Sequence, residues 1–305
     1  MKKESILITG ARGGLASELS KQLCDRYNLV GIDPRSATTA HPFFGEYHKS
    51  HYRSRKVDEV FRSHKPKAFF HLGRIPATSS MKRSDRYSEN VLGTEHLFNL
   101  CAEHEVPTVC VLSTFHVYGA HPHNPLYLKE MDSLRATQRI PELSDAMELD
   151  HLASRFSLTF KGDVVVLRPT NIVGPLIANT LTKLLRLSWL PVPLGFDPPV
   201  QLIHQKDLVK ALICILNKPQ RGIFNLAGPG SLPLSSMLEV KKIKTAPLPD
   251  ILIRSFLKHI PLPSLRIPDY MVDFFKFPTL IDSTAFSKAY DFNYDYTLID
   301  SLSDI

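Results

Sequence analysis

Short apolar runs alternate with longer amphipathic stretches along the first 170 residues. The run Ile6-Leu7-Ile8-Thr9 is uncharged and rich in β-branched residues, which is typical of a strand buried in a parallel sheet. Similar runs predict strands at 29–33, 67–72, 109–112 and 164–167, and helical spacing predicts helices over 15–27, 57–64 and 90–104. This alternation predicts an α/β fold, a Rossmann-type doubly wound parallel sheet.

The pattern changes after Arg168-Pro169, where prolines become frequent and regular periodicity is lost. This high proline content indicates a smaller lobe of short helices and loops, although the segment 222–227 has the composition of a strand that returns to the sheet. We therefore predict a dinucleotide-binding domain over 1–170 with a returning segment at about 200–228, and a Pro-rich substrate-binding lobe formed by 171–199 and 229–305.

A glycine-rich segment follows the first predicted strand and opens the first predicted helix. Gly10 allows a tight turn, and Gly13 allows the backbone to approach a pyrophosphate at the positive end of the helix. Asp33 ends the second strand, where its carboxylate can accept hydrogen bonds from both hydroxyls of an adenosine ribose. The predicted cofactor-binding residues here are Gly10, Arg12, Gly13, Gly14, Leu15, Asp33 and Arg35.

The identity of the dinucleotide depends on charge near the ribose. Asp33 repels a 2′-phosphate and therefore favours NAD. Arg12 and Arg35 could instead pair with that phosphate, so NADP stays open as the alternative cofactor.

The positive charge of the chain is concentrated in one stretch. The 305 residues include 37 Lys and Arg and 30 Asp and Glu, a net charge of +7, and residues 41–87 alone contribute 11 − 4 = +7. Such a stretch could contact nucleic-acid phosphates. A solvated rim is the favoured interpretation, because a strand–helix–strand segment spreads its charges over several faces.

Composition excludes several other classes of protein. Hydrophobic residues make up 43% and charged residues 22%, which argues against wholesale disorder. The longest apolar runs are far shorter than the roughly 18–20 residues that a membrane span needs, and the start lacks a signal-peptide core. The four cysteines are scattered without metal-ligand spacing. We expect a cytoplasmic protein with a small-molecule substrate, no membrane partner and no metal.

Several motifs in register resemble one family, the extended short-chain dehydrogenases/reductases in their NAD-dependent epimerase/dehydratase branch. The resemblance spans nearly the whole chain and is carried by Thr9-Gly10-x-x-Gly13-x-x-Ala16, Asp33, His71-Leu72-Gly73, Asn90-Val91-x-Gly93-Thr94, Ser113-Thr114-x-x-Val117-Tyr118-Gly119 and Leu167-Arg168-Pro169-x-Asn171-x-x-Gly174-Pro175. It implies cofactor contacts by Leu72, Gly73, Asn90 and Pro169, and substrate contacts by Arg83, Tyr118 and Asn171. It also allows a homodimer through the Asn90 and Glu142 helices.

The same resemblance implies a catalytic Ser/Thr, Tyr and Lys, of which this chain keeps only Thr114. The Tyr-x-x-x-Lys positions are occupied by Glu142 and Ala146, so the usual acid/base phenol is replaced by a carboxylate and no cation stands at 146. His116 occupies a position where the family's dehydratases place a proton-transfer group, with a packed structural histidine as the alternative. Thr114, His116 and Glu142 are the candidate catalytic residues.

Three functions follow as hypotheses. The first is an NAD-dependent enzyme acting on a hydroxyl or carbonyl group of a nucleotide sugar or related substrate. The second is a non-catalytic NAD(H)-binding sensor or scaffold, which the missing Tyr and Lys favour. The third, and least favoured, is nucleic-acid binding through residues 41–87.

Overall fold

The computed structural model describes residues 3–76, 79–136, 141–259, 268 and 270–305. The strands are β1 Ser5–Thr9, β2 Asn28–Asp33, β3 Glu46–Lys49, β4 Ala68–His71, β5 Thr108–Leu112, β6 Tyr127–Leu128, β7 Asp163–Pro169, β8 Asn171–Val173, β9 Trp189–Pro193, β10 Pro199–Val200, β11 Leu202–His204, β12 Gly222–Leu226, β13 Leu232–Pro233, β14 Lys244–Leu248 and β15 Leu280–Ile281. The α-helices are α1 Gly14–Leu23, α2 Arg55–His64, α3 Arg83–Tyr87, α4 Gly93–Glu103, α5 Ser144–Thr159, α6 Thr180–Leu184, α7 Gln205–Asn217, α8 Leu234–Val240, α9 Asp250–His259, α10 Met271–Phe274, α11 Thr284–Tyr290 and α12 Leu298–Ser303.

Seven parallel strands form the central sheet in the order β12-β7-β5-β4-β1-β2-β3. Both faces are covered, one mainly by α1 and α7 and the other by α2, α4 and α5. This explains the uninterrupted apolar runs, because a parallel strand with helices on both sides has no solvent face. The predicted doubly wound α/β fold is confirmed, and the returning segment supplies β12, which pairs with β7.

The second lobe has a core of its own. Val173, Leu184, Leu190, Met237 and other apolar residues form a cluster separate from the two that flank the sheet. Two small parallel pairs, β8 with β11 and β9 with β14, hold the lobe over the carboxyl end of the sheet, because β8 follows directly on β7. Among the described helices, none combines the length and apolarity needed to cross a membrane.

Two local features differ from the sequence predictions. The predicted helix over 90–104 is divided, since a π-helical turn at Ser88–Leu92 precedes α4. Strand β3 was not predicted from the sequence; its residues are all polar or aromatic, and it lies at the edge of the sheet. Its backbone pairing with β2, rather than its own apolarity, makes it a strand.

Candidate active site

The turn after β1 requires glycine for two separate reasons. Gly10 has φ +71°, in the left-handed region, and a Cβ there would lie 2.6 Å from Cα of Gly73. Gly13 donates its N–H to the Gly10 carbonyl at 2.8 Å, which closes the turn just before α1. Helix α1 has no side-chain cap and no acid in its first turn, so its leading N–H groups suit an anion. The loop fits the pyrophosphate of a dinucleotide.

The second lobe packs so close to position 14 that only glycine fits there. A Cβ at this position would collide with the carbonyl oxygen of Leu176, which lies beyond β8. The two lobes therefore meet directly above the start of α1. Leu15, the next predicted cofactor residue, is buried in the core cluster that α1 shares with the sheet, and its cofactor contact stays a prediction.

Asp33 is fully buried and its carboxylate is already engaged. Arg35 holds it bidentately, with Nε 2.9 Å from Oδ1 and a terminal nitrogen 2.9 Å from Oδ2. The backbone N–H groups of Arg35 and Arg12 also donate to it, at 2.9 and 3.2 Å. The carboxylate raises the pKa of Arg35 further above its ordinary value. The predicted ribose acceptor and its predicted phosphate-binding neighbour thus form one unit.

A cavity of about 290 Å³ lies between the carboxyl end of the sheet and the second lobe. Its wall includes five of the residues predicted from the sequence, namely Leu72, Thr114, His116, Pro169 and Asn171. Gly73 and Asn90 support this wall. Gly73 packs against Gly10, and the Asn90 side-chain amide accepts a hydrogen bond from the Ile75 N–H and donates one to the Ile75 carbonyl, both at 2.8 Å. The sequence motifs therefore converge on one cleft.

Thr114 and His116 form a pair at the floor of this cavity. The Thr114 hydroxyl lies 2.8 Å from Nδ1 of His116, and the same oxygen accepts the His116 backbone N–H at 3.3 Å. Burial, with a smaller contribution from Arg74, lowers the pKa of His116 to about 3. The imidazole is therefore neutral at physiological pH, and it orients the threonine hydroxyl rather than carrying a charge.

Positions 142 and 146, where the sequence predicts the family Tyr and Lys to be replaced, differ strongly in burial. Glu142 is exposed and is not among the described residues that line the cavity, so its catalytic role stays a prediction. Ala146 is buried, and next to it the buried Asp145 accepts a hydrogen bond from Nε of Arg86 at 3.0 Å and another from the Asn90 amide. Helix α3 therefore supplies a buried cation that pairs with Asp145, the residue before Ala146.

Two residues at the cavity were missed by the sequence analysis. Arg74 follows β4, and Tyr270 comes from the second lobe, just before α10; both line the cavity together with Thr114. The Tyr270 ring packs edge-on against His116, with ring centroids 6.2 Å apart. Burial raises the pKa of the Tyr270 hydroxyl above its ordinary value, while the positive charge of Arg74 acts in the opposite direction. A phenol and a cation therefore line the cavity, and both lie outside the predicted positions 142 and 146.

The three predicted substrate residues lie in different surroundings. Asn171 lines the cavity and donates to the Gln201 carbonyl at 3.1 Å. Arg83 is exposed on α3 and contacts Ser144. Tyr118 is fully buried, where its hydroxyl donates to Asn225 at 2.7 Å and accepts from Arg168 at 2.9 Å. Substrate contact by Arg83 and Tyr118 stays a prediction that this geometry does not support.

Burial of neutral histidines makes the stability of the fold depend on pH. His71 is buried between the hydroxyls of Thr9 and Thr94, at 2.7 and 2.9 Å, and desolvation lowers its pKa to about 4. The unfolded chain binds protons on such a histidine below about pH 6.5, whereas the folded protein does not. We expect the free energy of unfolding to have its full value above that pH. It should fall by roughly 2 kcal/mol per buried histidine on acidification to about pH 4.5.

Urea unfolding at a series of pH values checks this expectation. His71→Phe removes the titrating group and should give a shallower pH slope, even if the variant is less stable at every pH. An unchanged slope would show that other groups cause the acid sensitivity.

Comparison with known proteins agrees with this architecture. The model of the NAD dependent epimerase/dehydratase family matches residues 6–227. The chain belongs to that family. The match covers the glycine turn, Thr114 and the Arg168-Pro169 segment, which confirms the resemblance seen in the sequence. NAD dependence at the level of the family is confirmed with it.

Individual relatives are distant. An uncharacterized protein of Mycobacterium tuberculosis is 26% identical over 245 residues, which is 76% of this chain and 64% of the relative. The dTDP-D-glucose 4,6-dehydratase of Dictyostelium discoideum is 22% identical over 268 residues, 79% of this chain and 61% of that protein. The chain therefore spans less than two thirds of the length of these curated relatives.

Solved structures share the fold over nearly the full length. MoeE5 in complex with UDP-glucuronic acid and NAD superposes with a TM-score of 0.77 at 20% identity, covering 98% of this chain and 97% of the other. The NAD complex of UDP-glucose 4-epimerase from Thermus thermophilus gives 0.77 at 16% identity, with the same coverage. At such identities the likeness concerns the fold.

Proposed function

We propose that this family member binds NAD and interconverts a hydroxyl and a carbonyl group on a nucleotide sugar, with Tyr270 of the second lobe in place of the absent family tyrosine. The observation that carries the proposal is the cavity in which Thr114, Arg74 and Tyr270 face one space at the carboxyl end of the sheet. In open α/β sheets, ligands bind outside the carboxyl ends of the strands. Structural neighbours bound to UDP-sugars support the substrate class.

Each residue of the chain has a distinct task in this scheme. When bound, NAD supplies the hydride acceptor or donor. The Thr114 hydroxyl, oriented by neutral His116, bonds the substrate oxygen that is oxidised or reduced. The Tyr270 hydroxyl gives a proton to that oxygen during reduction or takes one during oxidation. Arg74 stabilises the phenolate that oxidation requires, because a nearby positive charge favours the ionised form.

Burial of the phenol determines the expected pH dependence. The pKa of Tyr270 lies above its ordinary value, so the hydroxyl is protonated at neutral pH and suited to donate. Oxidation needs the phenolate, and its rate should therefore rise with pH into the alkaline range. Reduction should be fastest at neutral pH and lower.

The direct test begins with the purified wild-type protein. Calorimetry should show NAD binding, and a panel of UDP- and dTDP-sugars and their 4-keto forms should change the absorbance of the reduced nicotinamide or yield an epimer. NAD binding without any change across the panel would reject the enzyme and support the alternative of a non-catalytic NAD(H)-binding protein, which the exchange of the family Tyr and Lys for Glu142 and Ala146 favours.

The Asp33–Arg35 unit predicts how the cofactor is chosen. Asp33→Asn removes the charged ribose acceptor and should weaken NAD binding by about 10- to 100-fold, the value of a charged hydrogen bond. Arg35→Ala frees Asp33 from its bidentate partner, so NAD affinity should hold or rise while any NADP affinity falls. Calorimetric titration of both variants with NAD and NADP measures this. Equal losses for both cofactors in Arg35→Ala would contradict a role in selection.

A further inference from the structure

The basic stretch over 41–87 contains a cluster that the cofactor site does not use. Glu46 and His48 lie on β3, and His64 is the last residue of α2. One ligand atom from each, a carboxylate oxygen or an imidazole nitrogen, can be chosen so that all three lie within 4.8 Å of one another. Among the described residues, this is the one group of three or more His, Cys, Asp or Glu side chains with that spacing.

The fold brings these residues together for a clear reason. Glu46 and His48 are two residues apart on a strand, so their side chains share one face. They pair with Val30 and Ile32 of β2, which pack in the same core cluster as α2. The face of the edge strand that carries both residues therefore looks toward the carboxyl end of α2, where His64 projects.

The distances suit a metal ion bound between the three side chains. Nε2 of His48 lies 2.9 Å from Oε1 of Glu46, and Nε2 of His64 lies 3.5 Å from Oε2. Ligand atoms about 2.0–2.2 Å from a tetrahedral zinc ion are about 3.3–3.6 Å apart, so small side-chain rotations suffice. The two imidazole rings are neighbours, inclined by 65° with centroids 6.4 Å apart.

Burial gives a second, independent indication. The His48 and His64 side chains are only 17% and 18% exposed, and Nε2 of His48 is buried with the Glu46 carboxylate 2.9 Å away but without an aligned hydrogen bond to any described residue. A buried nitrogen that faces a carboxylate without an aligned hydrogen bond is costly, and an ion bound between the two groups would satisfy both. The cations that directly follow the two histidines in sequence, Lys49 after His48 and Lys65 after His64, are exposed, so water screens their repulsion of a bound cation.

We propose that Glu46, His48 and His64 form a binding site for a divalent transition-metal ion, with zinc as its representative. Two imidazoles and one carboxylate are borderline ligands that favour zinc over magnesium or calcium, and water completes the coordination. The ion joins the edge strand β3 to the end of α2 and stabilises the edge of the sheet. No metal was predicted from the sequence, because ligands from a strand and from the end of a helix show no motif spacing.

Titration of tag-free, EDTA-treated protein with zinc chloride tests the site. We expect one equivalent bound per chain, a higher melting temperature that EDTA reverses, and weaker binding at acidic pH, where imidazoles are protonated. Magnesium chloride should have no effect. His48→Ala and His64→Ala should each weaken zinc binding by about a hundredfold or more.

A matched control variant is available in the same domain. His96 lies 2.8 Å from Asp58, a histidine–carboxylate pair without a second histidine, so His96→Ala should bind zinc like the wild type. Absence of binding to the wild type, or one equivalent persisting in the His48→Ala/His64→Ala double variant, would overturn the site. Should these variants fail to fold, the visible spectrum of wild type loaded with cobalt(II) decides: tetrahedral nitrogen and oxygen ligation supports the site, and a thiolate charge-transfer band refutes it.

Discussion

Tyr270→Phe is expected to lower the turnover number by at least about a hundredfold while NAD affinity and folding remain unchanged, because general acid–base catalysis contributes about 10²–10⁴-fold. The exchange removes one oxygen and keeps the ring that packs against His116 and Phe274. The KM for the sugar nucleotide should change little, since a proton-transfer group acts mainly in the transition state. Steady-state kinetics in both directions measure these quantities.

Substitutions of Arg74 distinguish proton transfer from packing. Arg74→Gln should shift the alkaline limb of the pH–rate profile for oxidation to higher pH, because loss of the positive charge raises the pKa of Tyr270. Arg74→Lys should return the limb most of the way to its wild-type position, because lysine keeps the charge. Tyr127→Phe is a matched control on an exposed tyrosine. An active wild type whose rate and pH profile are unaffected by Tyr270→Phe would remove Tyr270 from the mechanism without affecting the family function. In that case Glu142→Gln becomes the decisive variant.

The sequence was informative about the sheet because burial on both faces leaves an uninterrupted apolar run in each strand. Those runs marked β1, β2, β4, β5 and β7, and the glycine turn marked the cofactor end. The edge strand β3 was not predicted, because it pairs with the sheet on one side only and Glu46 and His48 give it no apolar pattern.

The part of the candidate site that comes from the second lobe could not be predicted in the same way. Tyr270 stands far along the chain from Thr114, outside every motif, and its place at the cavity depends on how the lobe packs over the sheet. Arg86 likewise reaches Asp145 through the arrangement of α3 beside α5. Such contacts depend on packing between elements and leave no periodic signal in the sequence.

Asp150→Asn is expected to destabilise the fold by about 3–5 kcal/mol, the cost of leaving one partner of a buried ion pair without its counter-charge. Asp150 on α5 and Arg168 on β7 are almost entirely buried and form a bidentate pair at 2.7 and 2.9 Å. Arg168 also donates to Tyr118, and Ser113 donates to Asp150 at 2.5 Å. The network therefore fixes the residue just before Thr114, and its loss should also lower activity.

The surface of the same protein offers a control pair with the same shortest distance. Glu4 and Lys67 are also 2.7 Å apart, but their side chains are 58% and 43% exposed, against 0% and 3% for Asp150 and Arg168. Glu4→Gln should therefore cost less than about 1 kcal/mol, because water screens an exposed pair. Urea unfolding measures both differences. If the buried unpaired charge causes the loss, the double variant Asp150→Leu/Arg168→Met should recover much of the stability that Asp150→Asn loses, because no unpaired charge remains in the interior. A double variant as unstable as Asp150→Asn would instead assign the loss to the hydrogen bonds of Tyr118, Ser113 and the rest of the network.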